Sequence, residues 1–190
     1  LLKTEILPSL GAANNLYIDG YEADDILALI AKHPLIEGYD RTGDIAIMIV
    51  SADQDMWQLC ERDHVVCRNP RTGDIVGEAD LLLRYGVTPP EFALVKAIEG
   101  CKTDDVPGIR GVGMATAIKH ITGAKKHPGI TANWAAVRSN LDLVVLPHRQ
   151  CRQVPILKGH ESIDWSKWNK VVSELGMDSL RNTREPIRRK

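Results

Sequence analysis

Seven carboxylates fall in three groups along the sequence: Glu22, Asp24 and Asp25, then Asp53 and Asp55, then Asp104 and Asp105. Grouped acids can supply hard oxygen ligands to a divalent cation such as Mg²⁺. They can equally serve the helix starts they precede, where negative charge is favourable. Spacing narrows the choice. Glu22 and Asp24 are two apart and share no face of a regular helix, whereas Glu22 and Asp25 do. If Glu22 and Asp24 serve one ion, Glu22 must sit at or before the first turn. Asp53 and Asp55 follow a continuous apolar run, Ile45 to Val50. In open α/β sheets ligands bind beyond the carboxyl ends of strands, so both acids stand where a site is expected. One of them can instead be the N-cap of the helix begun by Met56 and Trp57, and Asp53 can do both.

The second chemical stretch is Gly100 to Gly113, which carries four of the fifteen glycines. Without a Cβ, Gly108, Gly111 and Gly113 let the backbone turn and approach another molecule closely. Amides at the start of the helix that follows make an anion site suited to a phosphodiester. Arg110, Lys119, Lys125 and Lys126 add positive charge, and no acid interrupts Arg110 to Lys126. Such a surface reads a nucleic-acid backbone without reading sequence, and weakens with salt. A glycine-rich turn that merely packs two helices would share the shortest part of this pattern.

The positioning elements are legible around these groups. Leu2, Ile6 and Leu10 lie one turn apart and predict a short helix ended by Gly11. Leu16 to Ile18 predicts a strand, and Tyr21 to Asp25 opens a helix with a buried stripe of Ala23, Ile26, Leu29 and Ile30. Ile45 to Val50, lacking alternation, predicts a parallel strand buried on both faces. His64 to Cys67 predicts a further strand, Arg71 to Asp74 a turn, and Glu78 to Tyr85 a helix ended by Gly86. Thr88 with Glu91 reads as a capping box, with Phe92, Val95 and Ile98 at helical spacing. Met114, Ala117, Ile118 and Ile121 mark the next helix, stopping near Gly123. Trp134 to Val137 is helical, Leu143 to Leu146 is read as extended, and Trp168, Val172 and Leu175 predict a closing helix ended by Gly176. Trp165 and Trp168, at helical spacing, read as core more than as a base-stacking pair. Alternating strand and helix indicates an α/β fold.

With 190 residues and 44% hydrophobic content the chain can bury a core. Its net charge of −1 conceals an acidic stretch, Gly20 to Asp55, and a basic one, Arg181 to Lys190. The terminal Arg188, Arg189 and Lys190 are read as a disordered end. Cys60, Cys67, Cys101 and Cys151 form no Cys-x-x-Cys pair, so neither a zinc site nor a disulfide framework is indicated, and an intracellular, reducing location is expected. No run is long enough to span a membrane. The first residue is Leu1 rather than Met, so a fragment or trimmed range is expected.

Gly-x-x-x-Asp-x-Val-Pro-Gly-Ile-x-Gly-Val-Gly, from Gly100, is similar to the helix-three-turn-helix motif of the 5′-nuclease superfamily: flap endonucleases, phage 5′-3′ exonucleases and the 5′-nuclease domain of bacterial DNA polymerase I. Glu22-Ala23-Asp24-Asp25 and Ser51-x-Asp53-x-Asp55 resemble that family's metal-binding motifs. The resemblance implies an α/β, PIN-like (Rossmann-like) core with a mainly parallel sheet. It implies a nuclease that hydrolyses DNA phosphodiesters in replication or repair, at branches or 5′ ends, with two Mg²⁺ or Mn²⁺ ions roughly 4 Å apart. Glu22 and Asp24 would lean toward one ion and Asp53, Asp55 and Asp104 toward the other, with Asp25 between them or acting through water. Asp24, Asp53 and Asp55 would be catalytic. The hairpin would bind K⁺ through carbonyls of Val106, Ile109 and Val112. Implied divisions are residues 1–87 as the latter part of the nuclease core, 88–126 as the DNA-binding element and 127–190 as a helical segment packed on the core. A polymerase or replication partner is unspecified.

Two departures stand out. Cys101 occupies a position where the bacterial and phage pattern has aspartate, and a thiol is a poor Mg²⁺ ligand. The family's amino-terminal strand and basic helical arch have no counterpart. The rival reading is therefore a catalytically silent DNA-binding module. A toxin-like PIN ribonuclease is disfavoured by the hairpin.

Overall fold

The computed structural model describes residues 2–37, 46–61, 64–101, 104–159 and 162–177. Elements in chain order are a π-helical turn Leu2–Ile6, α1 (Leu7–Ser9), α2 (Ala23–Lys32), β1 (Leu35–Ile36), β2 (Ile47–Val50), a 3-10 helix (Gln54–Leu59), β3 (Val65–Arg68), β4 (Ile75–Val76), α3 (Glu78–Tyr85), α4 (Pro89–Glu99), α5 (Met114–Ile121), α6 (Pro128–Ala132), α7 (Trp134–Val144), β5 (Ile156–Leu157) and α8 (Trp165–Glu174). They form two compact units, a smaller one of Leu1–Tyr17, Leu35–Asp40 and Ile156–Lys190 and a larger one of Ile18–Pro34 and Arg41–Pro155.

In the larger unit β2 and β3 run parallel and β4 returns antiparallel to β3. Asn69 builds the β3–β4 turn by accepting from the Arg71 and Thr72 amides. Helix α2 packs beside this sheet. Its buried positions are Asp25, Ile26, Ala28, Leu29 and Ala31, so the stripe is rotated from the expected one and Ala23 is exposed. Small Ala28 and Ala31 join Ile49, Met56, Leu59 and Val65 in one apolar cluster. Because Asp25 lies one turn before Ala28 and Leu29, it is carried onto the buried face.

The second cluster centres on α4, whose Phe92, Val95, Ala97 and Ile98 are fully or almost fully enclosed together with Leu81, Val87, Val106, Val112, Ala117, Ile130 and Val137. Thr88 caps α4 reciprocally: its amide donates to Glu91 Oε2 at 2.8 Å, and the Glu91 amide donates to Thr88 Oγ1 at 3.4 Å. Buried Asn140 of α7 donates to the carbonyls of Ala97 at 3.0 Å and Pro107 at 2.6 Å, tying the end of α4 to the glycine stretch.

In the smaller unit β1 pairs parallel with β5. Asn14 bonds both ways to the Lys158 backbone, and the Asp164 amide preceding α8 donates to the Leu10 carbonyl. Trp165 and Trp168 meet edge to face with centroids 6.2 Å apart.

Three sequence expectations are corrected. Leu16 to Ile18 is not a strand, and Tyr17 is largely exposed. Leu143 and Val144 close α7, because Val137, Asn140 and Val144 continue its buried face and helical period prevails over the apolar run. Strand β2 is covered on one face only: Ile49 is buried, whereas Met48 is 51% and Val50 58% exposed. Ile45, Lys102, Thr103, the Ser179–Leu180 end of the closing segment and the basic stretch Arg181 to Lys190 lie outside the described residues.

Candidate metal centre and nucleic-acid interface

Glu22 is the N-cap of α2 in extended conformation, so it stands before the first turn, as shared use with Asp24 requires. Asp53 is the N-cap of the 3-10 helix and accepts from the Asp55 amide at 2.8 Å. That bond turns the chain after β2 so that Asp53 and Asp55 both face one space. Asp104 reaches it from the far side, in the loop closed by paired backbone bonds between Cys101 and Val106 at 3.0 and 2.9 Å. The result is a cavity of about 650 Å³ lined by Glu22, Asp24, Asp53, Asp55, Asp104 and Asp105, with Lys96 and Cys101 beside them.

Asp25 departs from the group. Its Oδ1 accepts from the His148 amide at 2.7 Å and its Oδ2 from the Glu22 amide at 3.3 Å. It faces a different cavity, shared with Cys151 and His148. Burial, and then the hydrogen bond to Asp25, push the Cys151 thiol up to about 11. Asp25 thus holds the loop after α7 against the start of α2.

Electrostatics in the acid cavity are unbalanced. Burial, followed by the charges of Asp53, Glu22, Asp55 and Asp25, raises the Asp24 carboxyl above its ordinary value. Burial also raises Asp55, with Lys96 opposing and Asp53 and Asp104 adding to the rise. Lys96 Nζ lies 3.1 Å from Asp55 Oδ1 and 3.9 Å from Glu99 Oε2. Asp55 Oδ1 is nevertheless buried without an aligned hydrogen bond. Among the described residues no three His, Cys, Asp or Glu side chains already converge as an ion cage. The donor set is hard oxygen with one sulfur, and it carries more negative charge than its single lysine offsets.

Beside this cavity the glycine stretch splits into two kinds of position. A Cβ on Gly108 would fall 1.8 Å from the Glu99 carbonyl oxygen, and one on Gly100, whose φ is +79°, would fall 2.3 Å from the Gly108 nitrogen. Those two glycines allow backbone to lie on backbone. Gly111 and Gly113 have nothing within 4 Å of an added Cβ and face open space. Arg110, Lys119, Lys125 and Lys126 are exposed on the same segment, and Lys126 Nζ donates to the His120 carbonyl at 3.1 Å. Carbonyls of Val106 and Ile109 each accept one backbone bond, from Cys101 and Val112. At the start of α5 the Met114 amide is not open: it donates to Glu99 Oε1 at 3.2 Å.

Sequence reading passed over Lys96, Glu99 and His120. The first two stand one turn apart at the end of α4, the turn nearest the glycine stretch, and that position was the available signal. His120 is buried, and its Nδ1 accepts from the His127 amide at 2.9 Å. Burial, with Lys126 and His127 nearby, lowers its pKa.

No protein-family model matches the chain. Among curated proteins it is 39% identical over 116 residues to the thermostable DNA polymerase I of Thermus aquaticus, a match covering 60% of this chain and 13% of the polymerase. It is 33% identical over 119 residues to a 5′-3′ exonuclease of Aquifex aeolicus, covering 63% of this chain and 39% of that protein. Among solved structures it resembles a T5 protein co-crystallized with metal ions, with TM-score 0.56 and 26% identity over 72% of this chain and 54% of that one. It also resembles the bacteriophage T5 flap endonuclease in a complex with DNA and metal ions, with TM-score 0.54 and 25% identity over 72% of this chain and 53% of that one. Fold and sequence together define an α/β, PIN-like chain. The chain is homologous to T5 5′-exonuclease and to part of bacterial DNA polymerase I. It spans well under half the length of these curated relatives and about half that of the T5 chain.

Proposed function

We propose that this chain carries the metal centre and duplex-binding hairpin of a divalent-metal-dependent 5′-nuclease that hydrolyses DNA phosphodiesters at 5′ ends or single-strand branches. The observation that carries this reading is the acid cavity, with carboxylates from three separate segments, opening next to a glycine hairpin flanked by exposed bases. Supporting it, a relative is called a 5′-3′ exonuclease, and solved neighbours hold metal ions or DNA.

Glu22, Asp24, Asp53, Asp55 and Asp104 would hold the ions, Mg²⁺ or Mn²⁺, with Asp24, Asp53 and Asp55 at the reacting phosphate. Asp25 serves the site by fixing the Glu22 backbone. Bound divalent ions supply an activated water and stabilise the leaving oxygen. Asp53 positions Asp55 through its amide, and Lys96 holds positive charge against Asp55. Gly111 and Gly113 admit a sugar-phosphate backbone, with Arg110, Lys119, Lys125 and Lys126 contacting phosphates. Backbone carbonyls of Val106, Ile109 and Val112 are the proposed K⁺ ligands. The partner is DNA.

The test is cleavage of a 5′-labelled flap duplex by this chain in Mg²⁺ and in Mn²⁺, with chelator and Asp53→Ala as controls. Metal-dependent cutting lost in the variant supports the reading. Salt-sensitive DNA binding without cutting in either metal sinks the nuclease claim for this chain and leaves a silent DNA-binding module.

A further inference from the structure

We propose that Cys60 and Cys67 form a redox latch beneath the acid cavity: a disulfide between them displaces the 3-10 helix that carries Asp55 and weakens divalent-metal binding. The effect on metal rests on the reading above, whereas formation of the bridge does not. The two sulfurs lie 3.5 Å apart, in van der Waals contact, and both side chains are buried. Nothing in the proposed reaction uses either thiol. Cys60 is the C-cap of the Gln54–Leu59 helix, whose N-cap is Asp53 and whose first turn holds Asp55. Cys67 stands in β3 opposite Ile49 of β2, the strand that leads toward Asp53. Its Sγ donates to the carbonyl of Met56, the residue after Asp55, at 3.3 Å. Cys60 Sγ lies 3.4 Å from the Val76 carbonyl oxygen. The pair therefore sits against the backbone that aims Asp53 and Asp55. Cys67 also lines a separate cavity of about 230 Å³ with Ser51, Asn69, Arg84 and Tyr85, wide enough to admit a small hydroperoxide.

Hydrogen peroxide entering there oxidises Cys67: the O–O bond breaks, S–H becomes S–OH and one water leaves. The Cys60 sulfur then attacks the Cys67 sulfur, the S–O bond breaks, and hydroxide departs with the Cys60 proton as a second water. Two thiols are oxidised and one peroxide is reduced to two waters. The hydrogen bond between the thiols lowers the pKa of Cys60, which suits it to this second attack. The same bond, followed by burial, raises that of Cys67, so the first oxidation is the slow step. A disulfide holds its sulfurs about 2.05 Å apart, so the pair must close by about 1.5 Å. Both S–H donors are consumed, and the Met56 carbonyl loses its bond to Cys67 just where the backbone leaves Asp55. The carboxylates that face the cavity from this turn are thereby drawn out of register with Glu22, Asp24 and Asp104.

The experiment treats the whole chain with hydrogen peroxide, locates any bridge by peptide mass mapping without reduction, and titrates the reduced and oxidised forms with Mg²⁺ by calorimetry. Cys60→Ser and Asp53→Ala are carried alongside, with circular dichroism to confirm folding. A Cys60–Cys67 bridge is expected in the natural chain. Its Mg²⁺ affinity should fall about tenfold, the scale on which partners outside the ligand set act on a metal site, and recover with dithiothreitol. Cys60→Ser should form no such bridge and keep its Mg²⁺ affinity through peroxide. Peroxide that leaves both thiols free, or carries them to sulfinic acid without a bridge, overturns the latch. A bridge that leaves Mg²⁺ affinity unmoved, or an equal loss of affinity in Cys60→Ser, overturns its control of the metal centre. These comparisons within the natural chain stand even if Cys60→Ser fails to fold. Mg²⁺ binding by the reduced chain that is indifferent to Asp53→Ala overturns the metal-centre reading instead, whatever the thiols do.

Discussion

Lys96 Nζ and Asp55 Oδ1 lie 3.1 Å apart with side chains only 14% and 18% exposed, an ion pair set into a wall of carboxylates. Lys96 occupies the charge role that a cation would share. Burial alone would push Asp55 up, and Lys96 works against that push. Lys96→Met therefore leaves a half-desolvated carboxylate without its counter-charge. Thermal unfolding in chelator at neutral pH is expected to show a loss on the order of 1–3 kcal/mol, shrinking as Asp55 is protonated at acid pH. A divalent ion should raise the variant's midpoint more than the parent's. Equal midpoints in chelator would refute the role.

Asp24 contributes to the pH response of the metal-free protein. Its folded pKa is raised above the ordinary 3.8 by burial and four neighbouring acids. The stability linked to this proton is therefore fully present below the ordinary value, and it is lost as pH rises through the raised one. Asp24→Asn, which has no proton to lose, should lack that decline in chelator. Unfolding curves taken from about pH 4 upward decide it, since parallel pH profiles for the two chains would contradict the assignment.

Gly108 and Gly113 should behave oppositely. Gly108→Ala drives a methyl to within 1.8 Å of the Glu99 oxygen and is expected to destabilise on the order of 3 kcal/mol or more. Gly113→Ala meets no atom within 4 Å at an ordinary φ of −103°, so stability should move by no more than about 0.5 kcal/mol. Weaker duplex binding with an unchanged melting midpoint in Gly113→Ala would show that the open glycine serves an external backbone. Unchanged binding would assign the hairpin to packing alone.

Glu99 already fills part of the anion site at α5 by accepting from the Met114 amide. A phosphate would have to displace it. Glu99→Gln should tighten binding of duplex DNA two- to fivefold, equivalent to about 0.3–1 kcal/mol at a helix terminus. Fluorescence anisotropy at low salt measures this, and weaker binding by the variant would count against a phosphate there.

How much of this was legible in sequence depends on where each signal resides. Local chemistry was readable: the Thr88–Glu91 capping box and the Gly86 helix end came out as spacing and residue type imply, and of the two acids open as the N-cap after β2 it is Asp53. The acids were readable as a group, but not their partition. Asp24 and Asp25 are neighbours in sequence, and only the rotation of α2 about Ala28 and Ala31 sends one to the cavity and the other to the His148 amide. Lys96 was missed for a similar reason, since a lysine one turn before the end of a helix is ordinarily solvated. Its significance appears only when Asp55 arrives from another segment. Asn140 joins residues 43 and 33 positions away, and no local pattern predicts such a bond.

Met48 and Val50 give the chain a colloidal character as well as a shape. They lie at an edge of the three-stranded sheet as described and show apolar side chains to water over roughly half their area. An edge strand of this kind lacks the lysine or proline that usually deters strangers. Concentrated solutions of the isolated chain should thus be limited by stickiness along this seam well before heat unfolds them, and polar replacements at Met48 and Val50 are where a crystallographer or formulator would begin.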